Sequence, residues 1–573
     1  MEINRKNSAY IKLITIFFLS ILTISCDDYL DVNEDIDNPT IAPNGQLLSN
    51  IQVTTATIGD FRLWSGNILQ VYTHQLTARE DEDQYNVKPD DLRPRNDWDN
   101  IYTLLTDIES LASQSIASGE GFYLGISKLY KAYLMSTAVD LWGDVPFSEA
   151  TQLEAGIISP SFDKQQDIYM EVLKIIDEAK TDITSDENTS IDDADLIYGG
   201  DKNKWLRFAN SFQLKLYNQI RLSELFNTPE VQDGFRSLLA EDNFYTDNGD
   251  DFEFKHTGAI SPRDERNNLW RDSYNAGQFT TYASPWFYEI LIGTNPTIHT
   301  SNPDPRLPYY FLSQLKDGEF PRDQGDEDTM NPNADYWDKA TGFISIRFGS
   351  VGPARDAAID GDATYPGIFP CGGLYDDNTG LSAKTNGQGN GTAIAPRRMF
   401  TYDEFLYVQA ELMQVGLMIG DPGTQLEKAI MASMSKVDKV VSESQTSQNV
   451  PVLSGSTGVT DFITKIMEEF NSGDNEKKLE VIMTQKWVAT FADPIDQYND
   501  LRRTGYPVIA NPLSSTQEYQ LDNGDGFPLR DSDTTLNGSF QLSFFWPQSE
   551  LNSNRNSPTV QKNATEYKIF WDN

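Results

Sequence analysis

Two cysteines, Cys26 and Cys371, are all that 573 residues contain. That is too few for a disulfide framework, so stability must come from a core, which a chain this long can bury. Histidine is scarce as well: His74, His256 and His299 show no paired spacing. H-E-x-x-H is missing, which leaves a zinc-protease helix unsupported, and neither a G-x-S-x-G elbow nor a Walker phosphate loop occurs. Gly387-x-Gly389-x-Gly391 is not the dinucleotide pattern and reads as a flexible turn. Asp522-Asn523-Gly524-Asp525-Gly526 misses the spacing of a calcium loop and reads as a plain turn. These absences lead us to expect no metal and no cofactor. Basic residues are outnumbered 45 to 86, giving a net charge of −41. A surface that negative repels phosphate backbones and anionic lipid heads, which excludes nucleic acid as a partner. No apolar run reaches the ~20 residues that cross a bilayer.

What is present starts at the N-terminus. Arg5, Lys6 and Lys12 precede an apolar stretch, Leu13–Ile24, then Ser25 and Cys26. The stretch fits the ~7–15 residue core of a secretion signal. A small residue directly before a single cysteine is the arrangement of a bacterial lipoprotein signal, cut before Cys26 and acylated on it. An ordinary cleaved signal with a chance cysteine is the alternative. Acyl chains contribute ~0.8 kcal/mol per buried CH₂, enough in number for lasting attachment to a membrane. Residues 1–25 are therefore expected to be signal and 26–43 a lipidated acidic leader. With Cys26 acylated, Cys371 has no partner.

Helical periodicity dominates two regions, about 44–225 and 399–506. Asp97–Ala117 places Ile101, Leu104, Leu105, Ile108 and Leu111 on one face. Gly121–Leu141 does the same and stops at Gly143 and Pro146. Asp163–Ile183 is amphipathic, with Asp163 and Gln166 as a capping box; Asn203–Leu222 is a further helix. Later helices are expected at Thr401–Ile419, with Thr401 and Glu404 as a capping box, and at Thr424–Val441, Thr460–Phe470 and Asp474–Ala492. Between about 226 and 398 the pattern dissolves into Gly-, Pro-, Asn- and Asp-rich sequence, broken by one apolar helix at Pro285–Ile292. Long ordered loops in a compact protein are usually functional. The tail, 507–573, is again loop-rich. We read 44–573 as one domain.

Several segments, in order, resemble the SusD/RagB family of outer-membrane nutrient-binding lipoproteins. They are Cys26-Asp27-Asp28-Tyr29-Leu30-Asp31, Asp140-Leu141-Trp142-Gly143-Asp144-Val145-Pro146-Phe147 with Glu149-Ala150, and Gly200-Asp201 with Trp205, Phe208, Ala209 and Asn210. Asp304-Pro305-Arg306-Leu307, Thr401–Glu411, Gln485-Lys486-Trp487 and Arg502-Arg503-Thr504-Gly505-Tyr506-Pro507 continue the series. The resemblance implies a mainly α, SusD-like fold: four helix pairs of tetratricopeptide type as scaffold, plus a loop-rich irregular lobe. It also implies a cell-surface position, a SusC-like TonB-dependent transporter as partner, and an oligosaccharide, sometimes a peptide, as ligand. The motifs themselves read as structural. Trp98, Trp205 and Trp487 lie on helical patterns and are expected in the core. Arg502 and Arg503 are expected to pair with acids inside the scaffold.

Ligand contacts should then come from the irregular lobe. Aromatics make up 12% of the chain, and flat rings in polar loops suit the apolar faces of sugars. Trp270, Tyr274, Tyr336, Trp337, Tyr365, Phe369 and Tyr375 sit in such surroundings, with Trp270, Trp337 and Tyr375 preferred. Arg347, Asn333, Asp335 and Asp362 could supply hydrogen bonds, and Arg79–Tyr85 could border the site. The alternative is that these rings pin the loops to the scaffold. Functionally, the expectation is capture of an oligosaccharide and its delivery to the transporter, with no catalysis. A peptide ligand on the same fold is the first rival. A surface glycosidase, which needs only two carboxylates, is the second, and a ligand-free adaptor for the barrel the third.

Overall fold

Long amphipathic helices, each with an apolar stripe to hide, must pack on one another. The computed structural model describes residues 42–79, 81–186, 189–275, 281–315, 335–349, 363–380, 390–509 and 538–572. The long helices are α1 (Asn44–Thr55), α2 (Leu92–Ser118), α3 (Gly121–Trp142), α4 (Gln165–Ser185), α5 (Lys202–Ile220), α6 (Pro229–Glu241), α7 (Tyr402–Gln414), α8 (Pro422–Glu443), α9 (Thr457–Ser472), α10 (Asn475–Ala489) and α11 (Pro494–Thr504). Only two residues, Gly119 and Glu120, separate α2 from α3, so the pair folds back on itself around a left-handed Gly119. Helix α3 is apolar on nearly every side and packs against both α2 and α4, which places it at the centre of the N-terminal half. Helix α4 packs on α5, α7 on α8 and α9 on α10, giving sequential helix pairs. The mainly α architecture that the resemblance implies is therefore the one observed. No described helix is long and apolar enough to cross a membrane.

Among the described residues every sheet is a two-stranded antiparallel pair. The strands are β1 (Leu76–Ala78), β2 (Val145–Pro146), β3 (Phe162–Asp163), β4 (Phe252–Phe254), β5 (Thr281–Ala283), β6 (Phe311–Leu312), β7 (Asp335–Asp338), β8 (Phe343–Ile346), β9 (Tyr365–Pro366) and β10 (Arg397–Phe400). Pairing of β4 with β10 ties the two helical halves together, with Phe252 opposite Phe400. Pairing of β1 with β5 ties the irregular lobe to the first half.

The helix expected at Pro285–Ile292 is present with those bounds. Trp98, Trp205 and Trp487 are buried, as expected. Two sequence expectations are corrected. Neither capping box forms: the Asp163 carboxylate accepts from Phe147 N and Ser148 N across the β2–β3 connection (both 2.8 Å), and Glu404 is drawn into a buried ion cluster. Helix α6 lies where we expected only loop. Its apolar contacts, Val231, Phe235 and Leu238, are few and set in charged sequence, so the stripe is narrow.

Gly143 ends α3 with φ 76° and ψ −122°, and an added Cβ would lie 2.4 Å from Tyr567 Cε1. Gly143→Ala is expected to cost about 1–3 kcal/mol in backbone strain alone. Urea denaturation reads this directly, and an unchanged midpoint would contradict it.

Candidate functional site

The turn after α1 builds one wall of a cleft. Residues 57–65 reverse the chain, with Gly59 at φ 63° and Arg62 at φ 75°. Arg62 is a non-glycine residue held in the left-handed region, a conformation that surrounding structure must impose. The restraints are visible. From α2, Asp97 accepts Gly59 N (3.0 Å) through Oδ1, and Ser65 N (2.9 Å) and the Ser65 hydroxyl through Oδ2. Arg397 donates to the carbonyls of Ile58 and Gly59 (3.4 and 3.3 Å). Asn96 Nδ2 donates to Leu63 O, and Asn67 Oδ1 accepts from Arg62 N (both 2.8 Å). A turn fixed at so many points presents Trp64, half-buried, at a defined place.

The facing wall runs from the end of β4 through residues 255–266 into the short helix Asn268–Tyr274. His256 Nδ1 donates to the carbonyl of Glu265 (2.9 Å), and Thr257 donates to the Glu265 carboxylate. Burial lowers the pKa of His256. Asn267 caps the short helix and anchors it through Nδ2 to Ala395 O (3.0 Å). Asp264 takes a two-pronged contact from Arg266 (2.8 and 2.9 Å) and a third from Arg271 (3.1 Å). The Arg266 hydrogen bonds, foremost, pull the Asp264 pKa down to about 2. Asn268 bridges the walls, donating to Asp60 (2.6 Å).

Between the walls lies a cavity of about 500 Å³, within the range that holds small ligands. Trp64, Val53, Leu196 and Phe254 give it apolar surface; His256, Asn268 and several arginines give it hydrogen-bonding groups. This combination, the half-buried rings of Trp64 and Phe254 plus fixed polar side chains, suits a ligand with apolar faces and many hydroxyls. A more open depression of about 470 Å³ lies beyond Arg62 and Leu63 and includes Glu82.

Most of the rings chosen from sequence lie elsewhere, in the core. Trp270, Tyr274, Tyr336, Tyr365 and Phe369 are buried, as is Arg347. Trp270 stacks on Tyr274 (5.7 Å), which meets Tyr365 (4.9 Å), while Phe369 stacks on Tyr310 (4.9 Å). Their polar ends are occupied: Trp270 Nε1 donates to Asn390 O (2.9 Å), Tyr274 Oη to Pro366 O (2.7 Å) and Tyr336 Oη to Glu289. The guanidinium of Arg347 lies over Tyr336. An irregular lobe lacks helix stripes, so its aromatics make its core. Trp337 and Tyr375 are the half-buried rings of the set. Trp337 lies on β7 with Lys339 over its face, and Tyr375 packs edge-on to Tyr309. Trp270 does touch the cleft indirectly: Arg266, which lines it, covers the Trp270 ring at 4.8 Å. Within Arg79–Tyr85, Glu82, Asp83 and Tyr85 are buried; Asp83 accepts from Gly349 N (2.7 Å) and Tyr85 meets His74 Nε2 (2.9 Å). Cys26, Asn333, Asp362 and Asp522–Gly526 lie outside the described residues, and of Asp335 only the backbone is described.

The sequence reading missed Trp64, Asn268 and Arg271. Its one available signal was local charge: Arg263, Arg266 and Arg271 fall within nine residues of a chain with net charge −41. Inside the scaffold, Glu404, Asp493 and Asp496 also converge. Lys215 pairs with Asp496 and Glu404, Lys486 lies 3.5 Å from Glu404 and Arg397 lies 3.6 Å from Asp493, so the protein's own cations already answer that cluster.

Solved structures of similar fold include a SusD homologue from Bacteroides fragilis, 20% identical over 89% of this chain and 94% of that one, TM-score 0.63. A SusD-like protein from Bacteroides thetaiotaomicron is 20% identical over 92% and 99%, TM-score 0.59. A chitin-binding protein is 18% identical over 92% and 100%, TM-score 0.64. No curated sequence matches. The SusD-like family, described as starch-binding and associating with the outer membrane, matches residues 36–335 and 349–530. With the helix-pair scaffold in the same chain, that match shows that this protein belongs to the SusD-like family.

Proposed function

We propose that this chain is a cell-surface lipoprotein, anchored through Cys26, that captures an oligosaccharide in the Trp64 cleft. It then delivers the sugar to a SusC-like TonB-dependent transporter in the outer membrane. The observation that carries the reading is the cleft itself: a half-buried ring presented by a multiply restrained turn, facing fixed hydrogen-bonding side chains, in a family described as starch-binding. Family membership supports the outer-membrane setting, and a chitin-binding protein of the same fold supports a glycan ligand.

Binding needs no covalent step. A sugar ring lies on Trp64 while its hydroxyls exchange water for Asn268 and neighbouring donors, giving modest affinity in a wet cleft. Delivery draws on energy supplied to the transporter, so this chain needs no nucleotide site. The test is titration calorimetry with malto- and chito-oligosaccharides, followed by chromatography of the recovered sugar, alongside affinity purification from native membranes. Saturable binding, unchanged sugar and a co-purifying barrel are expected. Shortened sugar would favour the glycosidase, and absence of any glycan binding would sink the proposal.

A further inference from the structure

We infer that the Trp64 cleft takes an acidic oligosaccharide, one whose sugars carry carboxylate or sulfate groups. The inference rests on the proposed glycan-binding role and specifies its substrate class.

Over the whole chain acids outnumber bases by 86 to 45. Around the cleft the balance reverses: Lys255, Arg263, Arg266 and Arg271 line it against Asp60, Asp264 and Glu265. Each of those three carboxylates already has internal partners. Asp264 is taken by Arg266 and Arg271, Asp60 by Asn268 and Phe61 N, and Glu265 by Thr257. The cations are less fully answered. Arg263 is exposed and makes no ion pair among the described residues. Lys255 reaches Glu443 (3.2 Å) from an exposed position. Arg62, on the turn that carries Trp64 and lining the neighbouring depression, lies 4.0 Å from Asp272 and repels Arg271, whose pKa is lowered by burial first and by Arg62 next.

Arg266 and Arg271 share the one carboxylate of Asp264, and Arg263 beside them has no ion pair among the described residues, so the cleft keeps positive charge that an anionic ligand can answer. Planar guanidinium matches the two oxygens of a carboxylate or the face of a sulfate. Charges within about 8 Å act on the ligand at physiological salt, while the distant acidic surface is screened. Trp64 in the same cleft supplies the stacking face that a sugar needs and a simple inorganic anion does not.

The experiment titrates the purified full chain with a hexagalacturonate, a sulfated chondroitin hexasaccharide, maltohexaose, chitohexaose and hexaglutamate, at 50 and 300 mM NaCl. At least one acidic sugar should bind at least tenfold tighter than either neutral sugar at 50 mM, and the advantage should shrink at 300 mM. Hexagalacturonate carries carboxylate alone and the chondroitin hexasaccharide carries both groups, so tighter binding of the latter shows what sulfate adds. Arg263→Gln should lower the acidic-sugar affinity at least fivefold, while Arg236→Gln, an exposed arginine on α6, leaves it unchanged. Neutral sugars binding as well as acidic ones, without salt dependence, would overturn the inference and leave the glycan-binding role standing. No sugar binding at all would overturn both. Hexaglutamate binding tighter than every sugar would overturn the saccharide assignment in favour of an acidic peptide.

Discussion

Glu411→Ala is expected to lower folding stability by about 3–5 kcal/mol, the cost of leaving buried cations without their counter-charge. Glu411, on α7, is fully buried and meets three partners from two other helices. Arg503 on α11 grips both carboxylate oxygens. Arg221, just past α5, donates at 2.8 and 3.2 Å, and Asn218 Nδ2 at 2.7 Å. Burial would raise the Glu411 pKa, but the two guanidiniums overcome it and hold the carboxyl well below the usual range. The group therefore adds stability that is present above its unfolded pKa and lost as pH falls through its lower folded value. Since domains hold only about 5–15 kcal/mol in total, the variant should lose a large share of its margin. Denaturant unfolding checks the magnitude. The double variant Glu411→Met, Arg503→Met should recover part of it, since an apolar pair leaves less unbalanced charge. A loss under 1 kcal/mol for Glu411→Ala would contradict this account of the core.

Asp97→Asn is expected to cost about 2–3 kcal/mol and to weaken ligand binding together with stability. An amide can turn only its one oxygen toward one of the two backbone N–H groups that Asp97 receives; its NH₂ then faces the other, and a buried donor left unpaired costs about 1–3 kcal/mol. Those N–H groups belong to Gly59 and Ser65, which bracket Trp64. The pH dependence has a definite sign. Burial raises the Asp97 pKa to about 7, well above the ordinary carboxylate range. The folded protein thus binds more protons than the unfolded chain between about pH 4 and 7, and wild-type stability falls as pH rises through that window. The variant lacks this titration. Its deficit should be greatest near pH 4–5 and smaller at pH 8, read by urea unfolding at each pH. A deficit independent of pH would contradict the assignment.

The scaffold was more legible in the sequence than the site, for physical reasons. Ile101, Leu104, Leu105, Ile108 and Leu111 in α2 repeat at helical spacing because a helix hides one stripe, so pattern and burial coincide. Arg503 pairs with Glu411 as its chemistry suggested. Tyr274 and Phe369 illustrate the opposite case. A ring in polar, glycine-rich sequence can point either way, and here the lobe uses these rings as its core. The cleft could not be seen in any window of sequence. Trp64 and Arg271 are about two hundred residues apart and meet only through the fold, across the Asp60–Asn268 bridge. Helix α6 escaped because its three buried apolar residues are embedded in charge.

The central claim is that a glycan lies against Trp64. The direct measurement is calorimetric titration of Trp64→Ala, beside Trp337→Ala and Tyr375→Ala, with the tightest-binding oligosaccharide and with circular dichroism to confirm folding. Loss of at least tenfold in affinity, about 1.4 kcal/mol, in Trp64→Ala alone is the predicted result. Full affinity in Trp64→Ala, with the loss falling on Trp337→Ala or Tyr375→Ala, would contradict it and move the ligand to the irregular lobe.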